Sequence, residues 1–477
     1  MTETTPLEDS AIRNFVARGC LDVRTDLPAS YHAGIRAKFE EYLDRGEDLE
    51  NHVLWRVPEL HQVFDHPAVR SALTAILGPD YIVNPHTYCH LSRPGSKGHA
   101  WHKDSYIVDH NTRHARPRWL MALYTPHDMT EDLGPTAVIP RWQYHDSLDD
   151  LSDPAAPRTL TVEAGTITLL HADMWHGARG NRSDQDRFLV KFLFERRQEP
   201  WRPAHERQPV EWCADEDDLV PLLSMDVWRW LRGESPMPEV APESLEGGDE
   251  VALLMRVIES PSETSRLRAA YALGRMGARA VESLVALLRR QAVEAGGVRG
   301  PSNPKGINPA ALPAAQALSS MSEAAVPALV ALAGDPEWQV QLVAADTLGN
   351  IGPWAVEAVP ALARLAGDPA GWQVRRNAIE ALGRIGSSDG PAGEAMIRGL
   401  SDSDVRVRLN AAMALGRALA PPVHAIPALK EARERDENIY VRYYAGAALE
   451  HVEPRSGAAD RAPVRRAWSA MDPLGRS

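Results

Sequence analysis

The sequence predicts a multidomain protein with two unlike parts. These are an N-terminal double-stranded β-helix of the jelly-roll, cupin-like type with flanking helices, and a C-terminal all-α solenoid. At 477 residues the chain is too long for one ordinary domain. Short β-rich segments separated by turns dominate from residue 81 to residue 194, and a helical pattern with a period near 33 recurs after residue 255.

The first part begins with residues 10–17 and 31–45, which have the apolar spacing of amphipathic helices. Six β-rich runs follow, at residues 81–91, 119–125, 136–139, 159–162, 166–170 and 187–194. They supply enough strands for two facing sheets, which favours a jelly-roll sandwich. Helices at 217–223 and 226–232 and a polar linker at 233–249 are expected to end this part.

The second part repeats an Ala/Leu-rich helix that ends in Leu-Gly, where the glycine is expected to form a left-handed helix cap. The closing leucines stand at 273, 318, 348, 382, 415 and 449, in steps of 45, 30, 34, 33 and 34. The long first step indicates an inserted loop at 296–309, which is rich in Gly, Pro and Asn. One unit cannot bury its own apolar face, so the units are expected to stack into a curved solenoid.

These units resemble short HEAT repeats of the kind found in bilin-lyase-like proteins. We expect a first domain at 1–245, a repeat domain at 246–455 and a flexible tail at 456–477. The array is either a stabilising or self-associating scaffold or a docking surface for a protein partner. Because repeats stack only on their neighbours, a chain that ends near residue 247 is expected to fold alone.

Composition excludes several classes of partner. The formal charge of −13 argues against nucleic acid or an anionic membrane. Three scattered cysteines, Cys20, Cys89 and Cys213, predict small buried thiols in a reducing compartment rather than disulfides or a zinc knuckle. No apolar run approaches about 18 residues, and residues 1–6 lack a secretory pattern. We therefore expect a cytoplasmic protein.

The histidines concentrate where the strands are predicted, since ten of the seventeen fall between residues 86 and 176. His102 and Asp104 stand two apart, so on a strand end they point to one side. His176 suits a third ligand from a distant strand. Two histidines and one carboxylate make the facial triad of non-haem iron(II) oxygenases, which leaves coordination positions open. Arg187, eleven residues later, adds a planar cation able to hold a carboxylate bidentately.

Four segments then match one family in order: Trp-His-Lys-Asp at 101–104, Leu-Gly-Pro-Thr-Ala-Val-Ile-Pro at 133–140, Gly-Thr-Ile-Thr-Leu-Leu before His-Gly at 165–177, and Asn-x-Ser before Arg at 181–187. On these segments the chain resembles the phytanoyl-CoA dioxygenase family of iron(II)- and 2-oxoglutarate-dependent oxygenases. The resemblance implies that His102, Asp104 and His176 bind Fe(II), and that 2-oxoglutarate chelates the metal and pairs with Arg187. Oxygen would take the last position, with ascorbate as the reductant in vitro.

The chain departs from the family at two places. Ala178 stands where the family often has a small polar residue, and residues 140–145 lack its Pro-Gly-Ser-His sequence. Both places are expected to line the pocket, so Ala178 is a candidate 2-oxoglutarate contact, and cosubstrate contacts beyond Arg187 are left open.

The resemblance implies a small-molecule or carrier-bound substrate in specialised metabolism, with succinate and CO2 as coproducts. Candidate substrate contacts are Trp142, His145, Arg116 and Arg118. The two arginines belong to loop 105–118, which either covers an anionic substrate or carries solvated surface charge. Halogenases of this superfamily have a small residue at the carboxylate position, so Asp104 predicts hydroxylation, with desaturation or cyclisation as lesser alternatives.

Three alternatives stay open. His171 and Asp173 form a second His-x-Asp, but no later histidine precedes a suitable β-strand arginine, so we expect them in the strand and turn before His176. A zinc hydrolase could use the same three ligands, although it would need a general base and not Arg187. A non-catalytic protein with a degenerate cupin would instead act through its HEAT scaffold.

Overall fold

A computed structural model of the chain describes residues 7–47, 49, 53–104, 113–153, 156–203, 212–214, 217–234, 237–239, 250–296, 308–369, 371–419 and 422–452. The tail predicted at 456–477 lies outside the described residues. So do most of the linker at 233–249, most of the inserted loop at 296–309 and the first eight residues of loop 105–118. Within the described part, none of the helices combines the length and the apolar character that crossing a membrane requires.

Five described helices precede the main strands: α1 (Asp9–Arg18), α2 (Ala29–Asp44), α3 (Val53–Arg56), α4 (Leu60–Phe64) and α5 (Pro67–Leu77). The apolar spacing predicted the first two. It missed α4, which has only five residues, and α5, in which seven of the eleven residues are buried. These helices cover one side of a sheet, where Phe64 stacks on Phe192 with ring centroids 3.9 Å apart.

The described strands are β1 (Cys20–Arg24), β2 (Ile82–Val83), β3 (Tyr88–Ser92), β4 (His99–His102), β5 (Trp119–Tyr124), β6 (Thr136–Val138), β7 (Arg158–Thr159), β8 (Thr166–His171), β9 (His176–Ala178) and β10 (Arg187–Glu195). One sheet has the order β1-β8-β5-β10-β2, with β3 also paired to β10, and the other has the order β4-β9-β6-β7. All pairs are antiparallel. The β-rich runs predicted most of these strands but not β1, and β4 and β9 were expected only as the strands that carry His102 and His176.

Strand β10 separates two environments. Phe188, Phe192 and Phe194 pack in the apolar cluster under the helices, whereas Leu189 and Leu193 belong to a second cluster that both sheets share. Because side chains alternate along a strand, Arg187 and Lys191 share the side of Leu189 and Leu193. Both cations therefore lie between the sheets.

A single helix, α6 (Pro221–Leu231), stands where two short ones were predicted, because the segment before Pro221 is not helical. The repeats contain α7 (Glu250–Val257), α8 (Glu263–Gly274), α9 (Ala278–Ala295), α10 (Pro313–Ser320), α11 (Val326–Leu332), α12 (Trp338–Ile351), α13 (Val359–Leu365), α14 (Trp372–Ile385), α15 (Pro391–Gly399), α16 (Val405–Arg417), α17 (Ile426–Arg435) and α18 (Ile439–Val452). The closing leucines of the repeat pattern lie one in each alternate helix, from α8 to α18.

The glycines after those leucines do not cap helices as predicted. Gly349 and Gly383 lie inside α12 and α14, which each continue for two more residues. A Cβ at Gly349 would stand 2.9 Å from the Cα of Ala381, and one at Gly383 would stand 2.6 Å from the Cβ of Ala414. The glycines thus permit close packing of successive helices. The left-handed cap comes three residues later, at Gly386 for α14, with φ of 79°.

Buried polar contacts join the sheets to the last repeats. Glu195, at the end of β10, is fully buried and forms an ion pair with Arg417 of α16. The hydroxyl of Tyr444 in α18 donates to Glu195 Oε2 at 2.9 Å and accepts from Asn84 Nδ2 at 2.9 Å. Folding of a chain that ends near residue 247 stays a prediction, and these contacts weigh against it because truncation would leave Glu195 without its cation.

We expect Arg417→Leu to lower the free energy of unfolding by about 3–5 kcal/mol, because it leaves the Glu195 carboxylate buried without its cation. Urea denaturation of the full chain measures this. Arg435→Leu is the control, since Arg435 pairs with Glu431 on the surface with both side chains more than 70% exposed. Equal effects of the two variants would show that the buried pair does not stabilise the fold.

Candidate metal centre

The strand pairing brings two histidines together. Antiparallel β4 and β9 place His102 directly opposite His176, with ring centroids 4.3 Å apart. Asp104 follows the end of β4 by two residues. One ligand atom from each of these three side chains lies within 4.8 Å of the others, and among the described residues this is the one such cluster of three.

Both histidines leave the same ring nitrogen, Nε2, available to a metal ion. Nδ1 of His102 lies 2.9 Å from the carbonyl oxygen of Ala100, and Nδ1 of His176 lies 3.0 Å from that of Met174. A carbonyl only accepts, so Nδ1 carries the proton and Nε2 presents its lone pair. Burial lowers the pKa of His176, which favours the neutral ligand form.

Asp104 supplies the negative charge of the cluster. Its Oδ1 lies 3.9 Å from Nε2 of His176, and its Oδ2 accepts a hydrogen bond of 3.2 Å from Nζ of Lys191. Burial alone would raise the pKa of Asp104, but the charge of Lys191 and its hydrogen bond outweigh it, and the pKa lies below its usual value. Asp104 is therefore a carboxylate, with one oxygen facing the histidines.

Sequence reasoning missed Lys191 and the histidine beside it. Lys191 pairs with Tyr88 across β3 and β10, and Leu189 pairs with His90. Burial, followed by the charges of Lys191 and Arg187, lowers the pKa of His90 to about 3, so its ring is neutral. The alternation of β10 would have revealed Lys191, because it stands four residues after Arg187 and thus on the same side.

Arg187 is a buried cation held at one end. It is 3% exposed, and its Nε and Nη2 donate to the carbonyl oxygen of Gly134 at 3.2 and 2.8 Å. Across the residues that the structure describes, no carboxylate forms an ion pair with it, and burial lowers its pKa to about 10. Such a cation is suited to an anionic ligand.

The turn that holds Arg187 requires a glycine. Gly134 has φ of 72°, and a Cβ there would stand 2.7 Å from the carbonyl oxygen of Arg179. The Gly-Pro motif at 134–135 therefore places a backbone carbonyl against the guanidinium, where a larger residue would not fit.

The second His-x-Asp has a different role. As predicted, His171 ends β8 and Asp173 lies in the following turn. Oδ1 of Asp173 lies 3.1 Å from Nζ of Lys103 and 2.6 Å from Nε of Arg113. His171 contacts the carbonyl oxygen of Ala115 through Nε2 at 3.1 Å. Asp173 thus joins Lys103, which stands between the candidate ligands His102 and Asp104, to the turn before His176.

The predicted substrate arginines lie where the sheets meet the repeats. Arg116 donates to the carbonyl oxygen of Asn350 at 2.7 Å and forms an ion pair with Asp226. Arg118 forms an ion pair with Glu199, whose pKa falls to about 2 because that cation outweighs the effect of burial. Both charges thus have partners within the chain, and a substrate contact of either arginine stays a prediction. Sequence alone did not show which side of the segment faces the repeats.

The other predicted pocket residues divide between two places. His145 contacts the hydroxyl of Thr264 in α8 through Nε2 at 3.0 Å, and Trp142 stacks on His145 with centroids 4.4 Å apart. Both therefore lie beside the repeats and not in the triad. Ala178 lies on β9 two residues after His176 and pairs with Thr136. Its contact with 2-oxoglutarate stays a prediction.

Comparison with known proteins confirms the two-part composition predicted above. Residues 32–189 match the family model of phytanoyl-CoA dioxygenase (PhyH). HEAT repeats match at 326–392 and 370–450, and a PBS lyase HEAT-like repeat matches at 265–290. The chain thus carries a PhyH domain followed by HEAT repeats. Among curated proteins, none matches the chain.

Three solved structures are similar to part of this chain. The ThoJ–Ni complex, a non-heme monooxygenase, is 20% identical over 47% of this chain and 96% of its own, with a TM-score of 0.33. EctD from S. alaskensis with 2-oxoglutarate and 5-hydroxyectoine is 16% identical over 44% and 84%, with a TM-score of 0.36. HygX from Streptomyces hygroscopicus with nickel and 2-oxoglutarate is 15% identical over 40% and 87%, with a TM-score of 0.33.

The contacts of Asp173 predict that this carboxylate stabilises the fold and does not bind the metal. We expect Asp173→Asn to lower the free energy of unfolding by about 3–5 kcal/mol, because Lys103 and Arg113 lose a buried anion. The variant should still bind one Ni(II) per chain, whereas Asp104→Ala should bind none; calorimetry measures both. Asp186→Asn, which removes an exposed partner of Arg93, is the control. Complete loss of nickel by folded Asp173→Asn would make Asp173 a ligand instead.

Proposed function

We propose that the chain is an Fe(II)- and 2-oxoglutarate-dependent dioxygenase that hydroxylates a small-molecule or carrier-bound substrate. One arrangement carries this proposal: a His-Asp-His cluster next to a buried arginine that, among the described residues, pairs with no carboxylate. The match of residues 32–189 to the PhyH family supports it. The jelly-roll connectivity of the sheets and the solenoid form of the repeats belong to the same proposal.

The donor set of the cluster fits a divalent iron ion. His102 and His176 each present Nε2, because Nδ1 is engaged with a backbone carbonyl. Asp104 presents Oδ1 while Lys191 holds the other carboxylate oxygen. A neutral pair of imidazoles with one carboxylate is the ligand set of the facial triad, which leaves coordination positions for a chelating cosubstrate and for oxygen.

The surroundings of Arg187 fit the distal carboxylate of 2-oxoglutarate. The carbonyl oxygen of Gly134 accepts hydrogen bonds from two guanidinium nitrogens of Arg187. The arginine side chain is therefore already ordered before an anion binds. Exclusion of water strengthens the charge-assisted hydrogen bond. When bound, iron and 2-oxoglutarate supply oxidative decarboxylation coupled to oxidation of a substrate C–H bond, with succinate and CO2 as coproducts.

The residues of this chain orient the reactants rather than react themselves. Asp173 and Lys103 fix the backbone between the two ligands of β4, and Lys191 fixes the carboxylate of Asp104. The ring of His90 lies on β3 near Lys191 and, being neutral, adds no charge beside Asp104. Oxygen as cosubstrate and ascorbate as the reductant in vitro follow from the proposed chemistry.

The two rival functions fit these observations less well. A zinc hydrolase has no use for a buried arginine that lacks a carboxylate partner. A degenerate scaffold would not need both histidines in the same tautomer beside an ionised Asp104. Specialised metabolism as the setting, a cytoplasmic location and a protein partner for the HEAT repeats are the remaining parts of the proposal. They rest on the resemblance and the composition.

A first test separates metal binding from cosubstrate binding. We expect His102→Ala and His176→Ala to abolish Ni(II) binding and turnover, because two protein ligands cannot hold the ion against water. Arg187→Ala should retain nickel and raise the KM for 2-oxoglutarate about 100-fold, since a hydrogen-bonded charge pair is worth about 1.5–3 kcal/mol. Arg182→Ala, an exposed arginine paired with Asp132, is the control. Unchanged 2-oxoglutarate kinetics in Arg187→Ala would refute the cosubstrate assignment.

A second test concerns the product. Asp104 occupies the corner that a halide would need, so oxygen-18 gas in the presence of chloride should give a hydroxylated product that carries one labelled atom. Mass spectrometry of turned-over candidate substrates, with succinate measured in parallel, distinguishes the outcomes. A chlorinated product would overturn Asp104 as a ligand. A loss of two hydrogens would keep the site and change the reaction to desaturation or cyclisation.

A further inference from the structure

We infer that the HEAT repeats position the metal ligands of their own chain. Polar side chains that recur on successive repeat helices, here called the ladder, form hydrogen bonds with the oxygenase domain and hold residues 113–118 in place. This inference rests on the proposed metal centre. It assigns the polar face of the array to a partner in the same chain, which replaces the expectation of a free docking surface on that face.

The ladder occupies one position of the repeat. Asn350, Arg384 and Arg417 each stand two residues after a closing leucine, so they recur in steps of 34 and 33. All three are buried, with exposures of 8%, 4% and 7%. Each contacts the oxygenase domain and lies near the end of its helix, in α12, α14 and α16 respectively. A repeated polar residue at a buried position requires a fixed polar partner.

The partner of the first two steps is the segment 113–118. Nη2 of Arg384 donates to Nε2 of His114 at 2.8 Å, which requires that His114 be neutral. Burial lowers the pKa of His114 well below its usual value, and the surrounding arginines lower it further. Oδ1 of Asn350 accepts from Nη1 of Arg118 at 3.3 Å and from Nη1 of Arg384 at 3.0 Å. Asn350 thus joins Arg118 of the segment to Arg384 of the next repeat helix.

A second contact reaches the segment from an earlier repeat. Nδ2 of Asn308 donates to the carbonyl oxygen of Arg113 at 2.9 Å. The guanidinium of the same Arg113 forms the ion pair with Asp173. Asp173 also pairs with Lys103, which stands between the ligands His102 and Asp104. A chain of hydrogen bonds and ion pairs thus runs from the repeats to the side chain of Lys103, the residue between the two proposed ligands.

This geometry gives the repeats a positioning role. Movement of residues 113–118 would carry Arg113 away from Asp173 and release Lys103, so the carboxylate and imidazole donors would lose their fixed spacing. Loss of supporting hydrogen bonds around metal ligands costs about 10- to 100-fold in metal affinity. A change several contacts away is expected to lie at the low end of that range.

The test compares matched variants of the full chain. Asn308→Ala removes the bond to Arg113, and its control Asn438→Ala removes another helix-capping asparagine, whose Oδ1 accepts from the amide of Tyr440. Arg384→Met removes the contact with His114, and its control Arg375→Met removes an arginine of the same helix that pairs with Asp402 between repeats. The readouts are Ni(II) affinity by calorimetry and the visible charge-transfer band of anaerobic Fe(II) with 2-oxoglutarate.

We expect Asn308→Ala and Arg384→Met to weaken Ni(II) binding about 10-fold and to shift the band, while both controls match the wild type. Arg384→Lys, which keeps a donor for His114, should restore the band. Asn308 is uncharged, so Asn308→Ala keeps the test open if Arg384→Met does not fold. Folded variants with wild-type affinity and an unchanged band would overturn the inference. A wild-type chain that binds no nickel, or shows no band with 2-oxoglutarate, would instead overturn the proposed function.

Discussion

The geometry of the metal centre depends on the buried ion pairs of Asp173 with Lys103 and Arg113. A carboxylate in that environment is costly unless it is paired, and so are the two cations, which are 8% and 4% exposed. Because each buried charge is stable only when it is paired with the others, separating the three segments that carry them costs free energy. Those segments are the end of β4, the start of residues 113–118 and the turn before His176.

The same principle explains why the two parts of the chain are joined through polar contacts. Glu195 at the end of β10 is buried and pairs with Arg417 of α16, and Arg118, which pairs with Glu199, also donates to Asn350 of α12. Exposure of such groups to a mismatched surface would leave a charge unpaired, which makes the relative placement of sheets and repeats specific. Apolar packing between the repeat helices, where Gly349 and Gly383 permit close approach, keeps the ladder at its spacing.

The sequence predicted the features that local chemistry determines. His102, Asp104 and His176 were predictable because residue type and strand alternation decide which side chains meet. The repeat was predictable because its leucines recur regularly. The glycines that follow the leucines at 273, 348, 382 and 415 were misassigned, since a glycine serves equally for a left-handed cap and for a helix contact, and only the neighbouring helix decides between them. The ion pair of Arg116 with Asp226 was not predictable, because sequence does not reveal the tertiary partner of a buried charge.

Charge balance between the sheets limits what the centre can accept. Strand β10 directs two cations, Arg187 and Lys191, into a space where Asp104 is the carboxylate of the proposed metal centre. Lys191 is already paired with that carboxylate, and the rings of His90 and His176 are favoured in their neutral forms. A divalent ion would therefore add positive charge to a site that is already positive around Arg187. Only a ligand with two negative groups, one at the metal and one at Arg187, offsets both charges at once.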